Sequence, residues 1–277
     1  MADRPYALRA VPGFHSNVPG IQLAAQTSHN ASDEDLQFFQ QLGIEWIMLG
    51  VNDPELHSVE HYKQFVTRFA EYGMHIYRIA NHSVHNVPEI TLNLLGRDEK
   101  IEEFIQFIRN LGEAGIRYNT YAHMGNGIWS SGRTTRRGGM SARTLDIKNA
   151  TGHWIDDTFE GDLTHGREYC EDELWENYEY MIRKVAPVAE EAGVYIGIHP
   201  DDPPVYALGG IPRCIFGNFA GYKRAMDIAE SPNIGVCLCV GCWLEGGKQG
   251  MSASVEEAID YFGKRNKLFK IHFRNVS

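Results

Sequence analysis

The sequence predicts a (β/α)8 barrel, on three observations. An amphipathic helix, a glycine and a short apolar run recur as QQLGIEWIML (40–49), AEYGMHIYRI (70–79), GEAGIRYNTY (112–121) and EEAGVYIGIH (190–199). Such alternation of β and α units implies a parallel sheet with right-handed crossovers. No GxGxxG follows the first strand, and several strands end in polar, reactive residues, which favours a barrel over a dinucleotide-binding fold.

Taken in order, the first strand is IQLAA (21–25), after an N-terminal arm. Ser32, Ser58 and Asp98 suit the N-caps of the helices that follow. Val59, Tyr62, Phe65, Val66 and Phe69 make one helical stripe, and Ile101, Phe104, Ile105, Ile108 and Leu111 make another. Gly43, Gly73, Gly115 and Gly193 fall where a helix end requires positive φ. The fourth strand runs into 122–170, a stretch rich in Gly, Ser, Thr and Arg. A long loop at a strand's C-terminal end belongs to the active-site face of a barrel, so it reads as a lid or substrate clamp. The alternative is a disordered surface insertion; Trp129, Trp154 and Phe159, which would need burial, favour the lid. NIGVCLCVG (233–241) and LFKIHFRNV (268–276) complete seven strands, each preceded by a helix (218–229 and 254–264). Residues 1–277 thus form one barrel domain, with 122–170 as its insertion.

The 277 residues can bury a large core, but with the arm and the long loop set aside they supply about seven βα units of roughly 30 residues. The barrel is therefore expected to be incomplete within this chain, its last part lying beyond Ser277 or being filled by another segment or subunit. A net charge of −10 argues against nucleic acid as a ligand. No run of about 18 apolar residues suggests a membrane span, and the N-terminus lacks the apolar region of a signal peptide. Five cysteines, three of them within 237–242, make no disulfide framework, which points to the cytoplasm.

Strand parity selects the chemistry. In VYIGIHP, Val194, Ile196 and Ile198 face the helices and His199 faces the barrel mouth. Cys237 and Cys239 share a face of the next strand. In LFKIHFR, Phe269, Ile271 and Phe273 are expected outside, with Lys270, His272 and Arg274 inside. His199, Cys239 and His272 can then meet at the ends of consecutive strands, a donor set suited to a catalytic divalent transition metal. The C-x-C-x-x-C of 237–242 also suggests zinc or iron–sulfur binding, a weaker reading because an extended strand would separate Cys242 from the others. PDDPP (200–204) is either a stiff turn capped by Asp201 or Asp202, or a source of a carboxylate beside the metal. Arg133, Arg136, Arg137, Arg143 and Arg274 are cationic candidates for a carboxylate substrate.

These residues carry a family resemblance. LGRDEKIEEFIQFIRNLGEAGIRYNTY (95–121), GIHPDDPPVYALGGIPR (197–213), CLCVGCWLE (237–245) and KIHFRNV (270–276) resemble the mannonate dehydratase family. Its members are metal-dependent barrels of bacterial hexuronate catabolism, sharing their architecture with xylose-isomerase-like sugar enzymes. The resemblance implies that His199, Cys239 and His272 bind manganese, with Fe2+ or Zn2+ as alternatives. The family's fourth ligand, an Asp, and its proposed acid/base residues follow the HFRN phrase and so would lie past Ser277. The turn YAHMGNGIWSSGR departs from the family, making His123 unusual and a candidate substrate or metal contact.

The implied activity is a hydro-lyase converting D-mannonate to 2-keto-3-deoxy-D-gluconate and water. Tyr121, His123, Asp201 and Arg274 are its catalytic candidates by position, and Trp129, Arg133 and Asn275 its substrate-binding candidates. A homo-oligomer is expected. The rival readings are a sugar isomerase or epimerase on the same barrel, and a relative that binds sugar acids without turnover.

Overall fold

In the computed structural model, which describes residues 21–204 and 207–276, each helix–glycine–strand phrase folds as the sequence predicts. Gly43, Gly73, Gly115 and Gly193 have φ between 62° and 79°, a conformation that costs other residues steric strain. Seven parallel strands result: β1 (Ala24–Ser28), β2 (Trp46–Gly50), β3 (His75–Ala80), β4 (Tyr118–Tyr121), β5 (Tyr195–Ile198), β6 (Ile234–Cys239) and β7 (Leu268–His272). Hydrogen-bonded ladders join β1–β2–β3 and β4–β5–β6–β7 in chain order, and β3 lies against β4. The expected N-terminal arm lies outside the described residues.

The helices that cover the sheet are α1 (Asp33–Gln41), α2 (Val59–Ala70), α3 (Arg97–Glu113), α4 (Glu171–Glu191), α5 (Phe219–Ala229), α6 (Val240–Met251) and α7 (Val255–Gly263). Ser32 and Ser58 cap α1 and α2, whereas the expected cap Asp98 sits inside the first turn of α3, behind a left-handed Gly96. Its carboxylate still favours the helix N-terminus electrostatically. The α3 stripe of Ile101, Phe104, Ile105, Ile108 and Leu111 is wholly buried against the sheet, each side chain contributing about 1.5–3 kcal/mol. Among the described residues no helix is long and apolar enough to cross a membrane.

A second, smaller core fills the barrel interior with Met48, Tyr77, Ala80, Tyr118 and Phe269. Here the structure corrects one expectation. Alternation assigns Phe269 to the helix side, yet β7 bulges there: Val236 pairs with Leu268 and Cys237 with Lys270. The extra residue turns Phe269 inward, edge-on to Tyr195 at 5.1 Å. β3 bulges likewise at Tyr77, since Ile47 pairs with Ile76 and Met48 with Arg78. Both bulges place an aromatic and a cation side by side inside, and Lys270 Nζ lies 5.1 Å from the Tyr77 ring centre.

The 122–170 insertion contains two small antiparallel sheets. Ile128–Ser130, Thr151–Trp154 and Asp157–Phe159 form one, and Gly132–Thr135 pairs with Ser141–Thr144 in the other. Trp129 is buried, while Trp154 and Phe159 are half-buried.

Candidate metal centre

His199 follows β5 directly. Its Nδ1 lies 2.7 Å from the Pro200 carbonyl, which can only accept, so Nδ1 carries a proton and Nε2 is the atom left to bind a metal. A backbone partner of this kind fixes the ring of a metal-ligating histidine. The His272 ring, at the end of β7, stands 5.0 Å from that of His199. Cys239 ends β6 in register with His272, and its Sγ lies within 4.8 Å of donor atoms of His199 and Cys242. The hydrogen bond from Cys242 is the largest influence and, despite burial, holds the Cys239 thiol far below the usual range. Burial disfavours charge on Cys237 and on His272, yet their 3.6 Å contact outweighs it, bringing the thiol down and the imidazole up. The three predicted donors thus stand at neighbouring strand ends, His199 and Cys239 within 4.8 Å of each other and His272 just outside that group, and the imidazole–thiolate chemistry fits a divalent transition metal.

Cys242 also belongs to this cluster. The donor atoms of His199, Cys239 and Cys242 lie within 4.8 Å of one another. An extended strand would have separated the two cysteines, but the strand ends at Cys239, which is the N-cap of α6. Cys242 is then three residues into the helix start, where N-cap and N3 side chains adjoin. A C-x-x-C beginning on the last residue of a strand is the signal that points to this.

Around the donors lies a charged cluster. Arg143 Nη2 is 2.6 Å from Asp202 Oδ2, and Arg274 bonds Glu245 at 3.0 Å and approaches Asp202 at 4.0 Å. The Arg274 guanidinium crosses Gly241, where a Cβ would meet Nε at 2.0 Å. Two contacts attach the insertion to the barrel loops. The Trp129 backbone N–H donates to Asp202 O (3.0 Å), and the Trp154 indole donates to His82 O (3.1 Å).

A family model described as D-mannonate dehydratase (UxuA) matches residues 30–277. The chain belongs to the D-mannonate dehydratase family. A mannonate dehydratase of Streptococcus pneumoniae (strain 70585) is 32% identical over 240 residues, covering 80% of this chain; the chain spans 63% of that relative's length. The crystal structure of mannonate dehydratase from Streptococcus suis serotype 2 superposes with a TM-score of 0.74 at 26% identity, covering 92% of this chain and 72% of that one. A xylose isomerase domain protein from Planctomyces limnophilus shares the fold, with a TM-score of 0.53 at 11% identity over 90% of this chain and 72% of its own.

In this member of the mannonate dehydratase family the other candidate residues are placed as follows. Tyr121 and His123 are bonded to each other (Oη to Nδ1, 2.6 Å) on the helix side of the sheet. Tyr121 packs against Phe104 of α3, and His123 stands edge-on to Tyr178 of α4. Asp201 is 2% exposed and lines, with His123, a cavity of about 10 Å³. That is the lower limit for one water molecule, which would serve the partnerless Asp201 Oδ1 and His123 Nε2. Burial pushes the Asp201 carboxyl up to about 7 against the pull of Arg213, and burial takes His123 down to about 3.

Trp129 is a buried anchor of the insertion, its indole bonded to Asn126. Arg133 is exposed and engaged with Ser141 of its own hairpin. Asn275 is exposed beside Arg274, its Oδ1 accepting from Val276 N. Residue-type reasoning gave no role to Glu245 and did not single out Asp202 or Arg143 from their neighbours; their pairing is visible only in three dimensions.

Proposed function

We propose that this chain carries the catalytic barrel of a metal-dependent hydro-lyase that converts D-mannonate to 2-keto-3-deoxy-D-gluconate and water. The observation that carries the reading is that His199, Cys239 and His272 stand at neighbouring strand ends, beside the Arg143–Asp202–Arg274 cluster. A divalent ion would be held by those three donors, and the family resemblance supports manganese. When bound, such an ion stabilises the negative charge that develops when a proton leaves the carbon next to a carboxylate.

The chain's own residues supply the rest. Arg143 and Arg274, with side chains 29% and 34% exposed, are the cations at the mouth able to grip a sugar-acid carboxylate. The Trp129 and Trp154 contacts hold the insertion over the mouth and restrict water there. Tyr121, His123 and Asp201 form a support behind the strand ends, so we assign them to positioning rather than to proton transfer. Five free cysteines suit a reducing compartment, which supports a cytoplasmic location.

The test is to incubate the purified protein with D-mannonate and Mn2+, assaying 2-keto-3-deoxy acid and, by elemental analysis, bound metal. His199→Ala is expected to lose both. Interconversion of neutral sugars without water loss would replace the hydro-lyase with an isomerase or epimerase. Metal binding with neither product would leave a sugar-acid-binding protein.

A further inference from the structure

We propose that Cys242 is a fourth ligand, giving up its proton when the metal binds, so that the loaded centre has two thiolates and two imidazoles and prefers zinc to manganese. The inference rests on the reading that His199, Cys239 and His272 hold a metal.

A buried cysteine usually packs as a small apolar group, but the surroundings of Cys242 are polar. Its Sγ lies within 4.8 Å of the donor atoms of His199 and Cys239. On its other side Arg274 Nη2 donates to the same sulfur at 3.3 Å, which offsets the charge of a second thiolate. Cys242 also groups with Asp202 and Glu245 at similar separations. Those carboxylates are already ion-paired with Arg143 at 2.6 Å and with Arg274 at 3.0 Å. The sulfur–imidazole group is therefore the better place for a cation.

Two thiolates and two imidazoles are the tetrahedral donor set that zinc favours. Manganese is the weakest binder in the divalent series and prefers oxygen, so a second sulfur widens the gap between the two ions. Zinc accepts a fifth ligand, so four protein donors still leave room for a substrate oxygen.

The experiment uses Co2+ as an optical probe in the full chain. The thiolate-to-cobalt charge-transfer band grows with the number of bound sulfurs. Cys242→Ser and Cys239→Ser are each expected to cut it to about half, and Cys237→Ser to leave it unchanged. In direct competition the preference for Zn2+ over Mn2+ is expected to fall at least about tenfold in Cys242→Ser. Cys242→Ala and the unfolding midpoints of the metal-free variants separate ligand loss from misfolding. A full band and an unchanged Zn2+/Mn2+ preference in Cys242→Ser would overturn the proposal while leaving the three-donor site standing. If the wild type takes up no Co2+, or His199→Ala binds it unchanged, the underlying site falls and this inference with it.

Discussion

Arg143 Nη2 lies 2.6 Å from Asp202 Oδ2, and through this contact the 122–170 insertion is tied to the turn that follows His199. The Asp202 side chain is only 8% exposed, so loss of its partner leaves a nearly buried carboxylate with Arg274 at 4.0 Å. Arg143→Ala should therefore cost about 2 kcal/mol. It should also speed tryptic cleavage at Arg133, Arg136 and Arg137 in the freed hairpin. Arg143→Lys should fall between, because an ammonium restores charge but not the planar fork. Wild-type proteolysis rates and denaturation midpoints in Arg143→Ala would show that the contact does not hold the insertion.

Gly197 lets the Tyr118 ring cross the barrel interior. A Cβ at that position would meet Tyr118 Oη at 2.4 Å, and that hydroxyl is bonded to Thr120 Oγ1 at 3.0 Å. Gly197→Ala should destabilise the fold by about 1–3 kcal/mol through overpacking. Tyr118→Phe in the same chain removes the nearest clashing atom and should recover part of the loss. Urea midpoints of the two single variants and the double variant test this, and simple additivity would contradict direct contact.

The helix–glycine–strand phrases were legible because they depend on local rules: positive φ at Gly43 or Gly193, and the buried stripe from Ile101 to Leu111. The convergence of His199, Cys239 and His272 follows from the same alternation. Phe269 was not legible, since a bulge is set by how β7 meets β6 and reverses parity on one side of it. Cys242 was hidden because α6 begins with no intervening loop, turning an apparent strand residue back onto Cys239. The Arg143–Asp202 pair spans 59 residues, and no local pattern specifies it. Similarly, nothing in YAHMG indicates that Tyr121 and His123 pack behind the sheet against α3 and α4.

Burial of His123 makes stability depend on pH. Its folded-state value is lowered to about 3 by burial, so protons bind the unfolded chain first as pH falls below the ordinary 6.5. The stabilisation is present above pH 6.5 and is lost progressively as pH falls toward 3. Between pH 6.5 and 4 this one group should account for about 3 kcal/mol. His123→Gln keeps a polar side chain beside Tyr121 without the ionisation. Its midpoint should be lower at neutral pH but flatter across that window. An unchanged slope would mean that His123 does not stay neutral in the fold.

Metal binding should appear as stability. His199, Cys239 and His272 meet only in the folded chain, because they come from three strands separated by two helical crossovers. A ligand that binds only the folded state at 100 times its dissociation constant adds about 2.7 kcal/mol. Chelator-treated protein should thus unfold at lower denaturant than protein saturated with a divalent ion. His199→Ala should erase the difference without lowering the metal-free midpoint comparably. The gain should also shrink on acidification, because imidazole and thiolate must give up their protons to bind. Equal midpoints with and without metal, under conditions where elemental analysis finds one ion per chain, would place that ion somewhere other than between these strands.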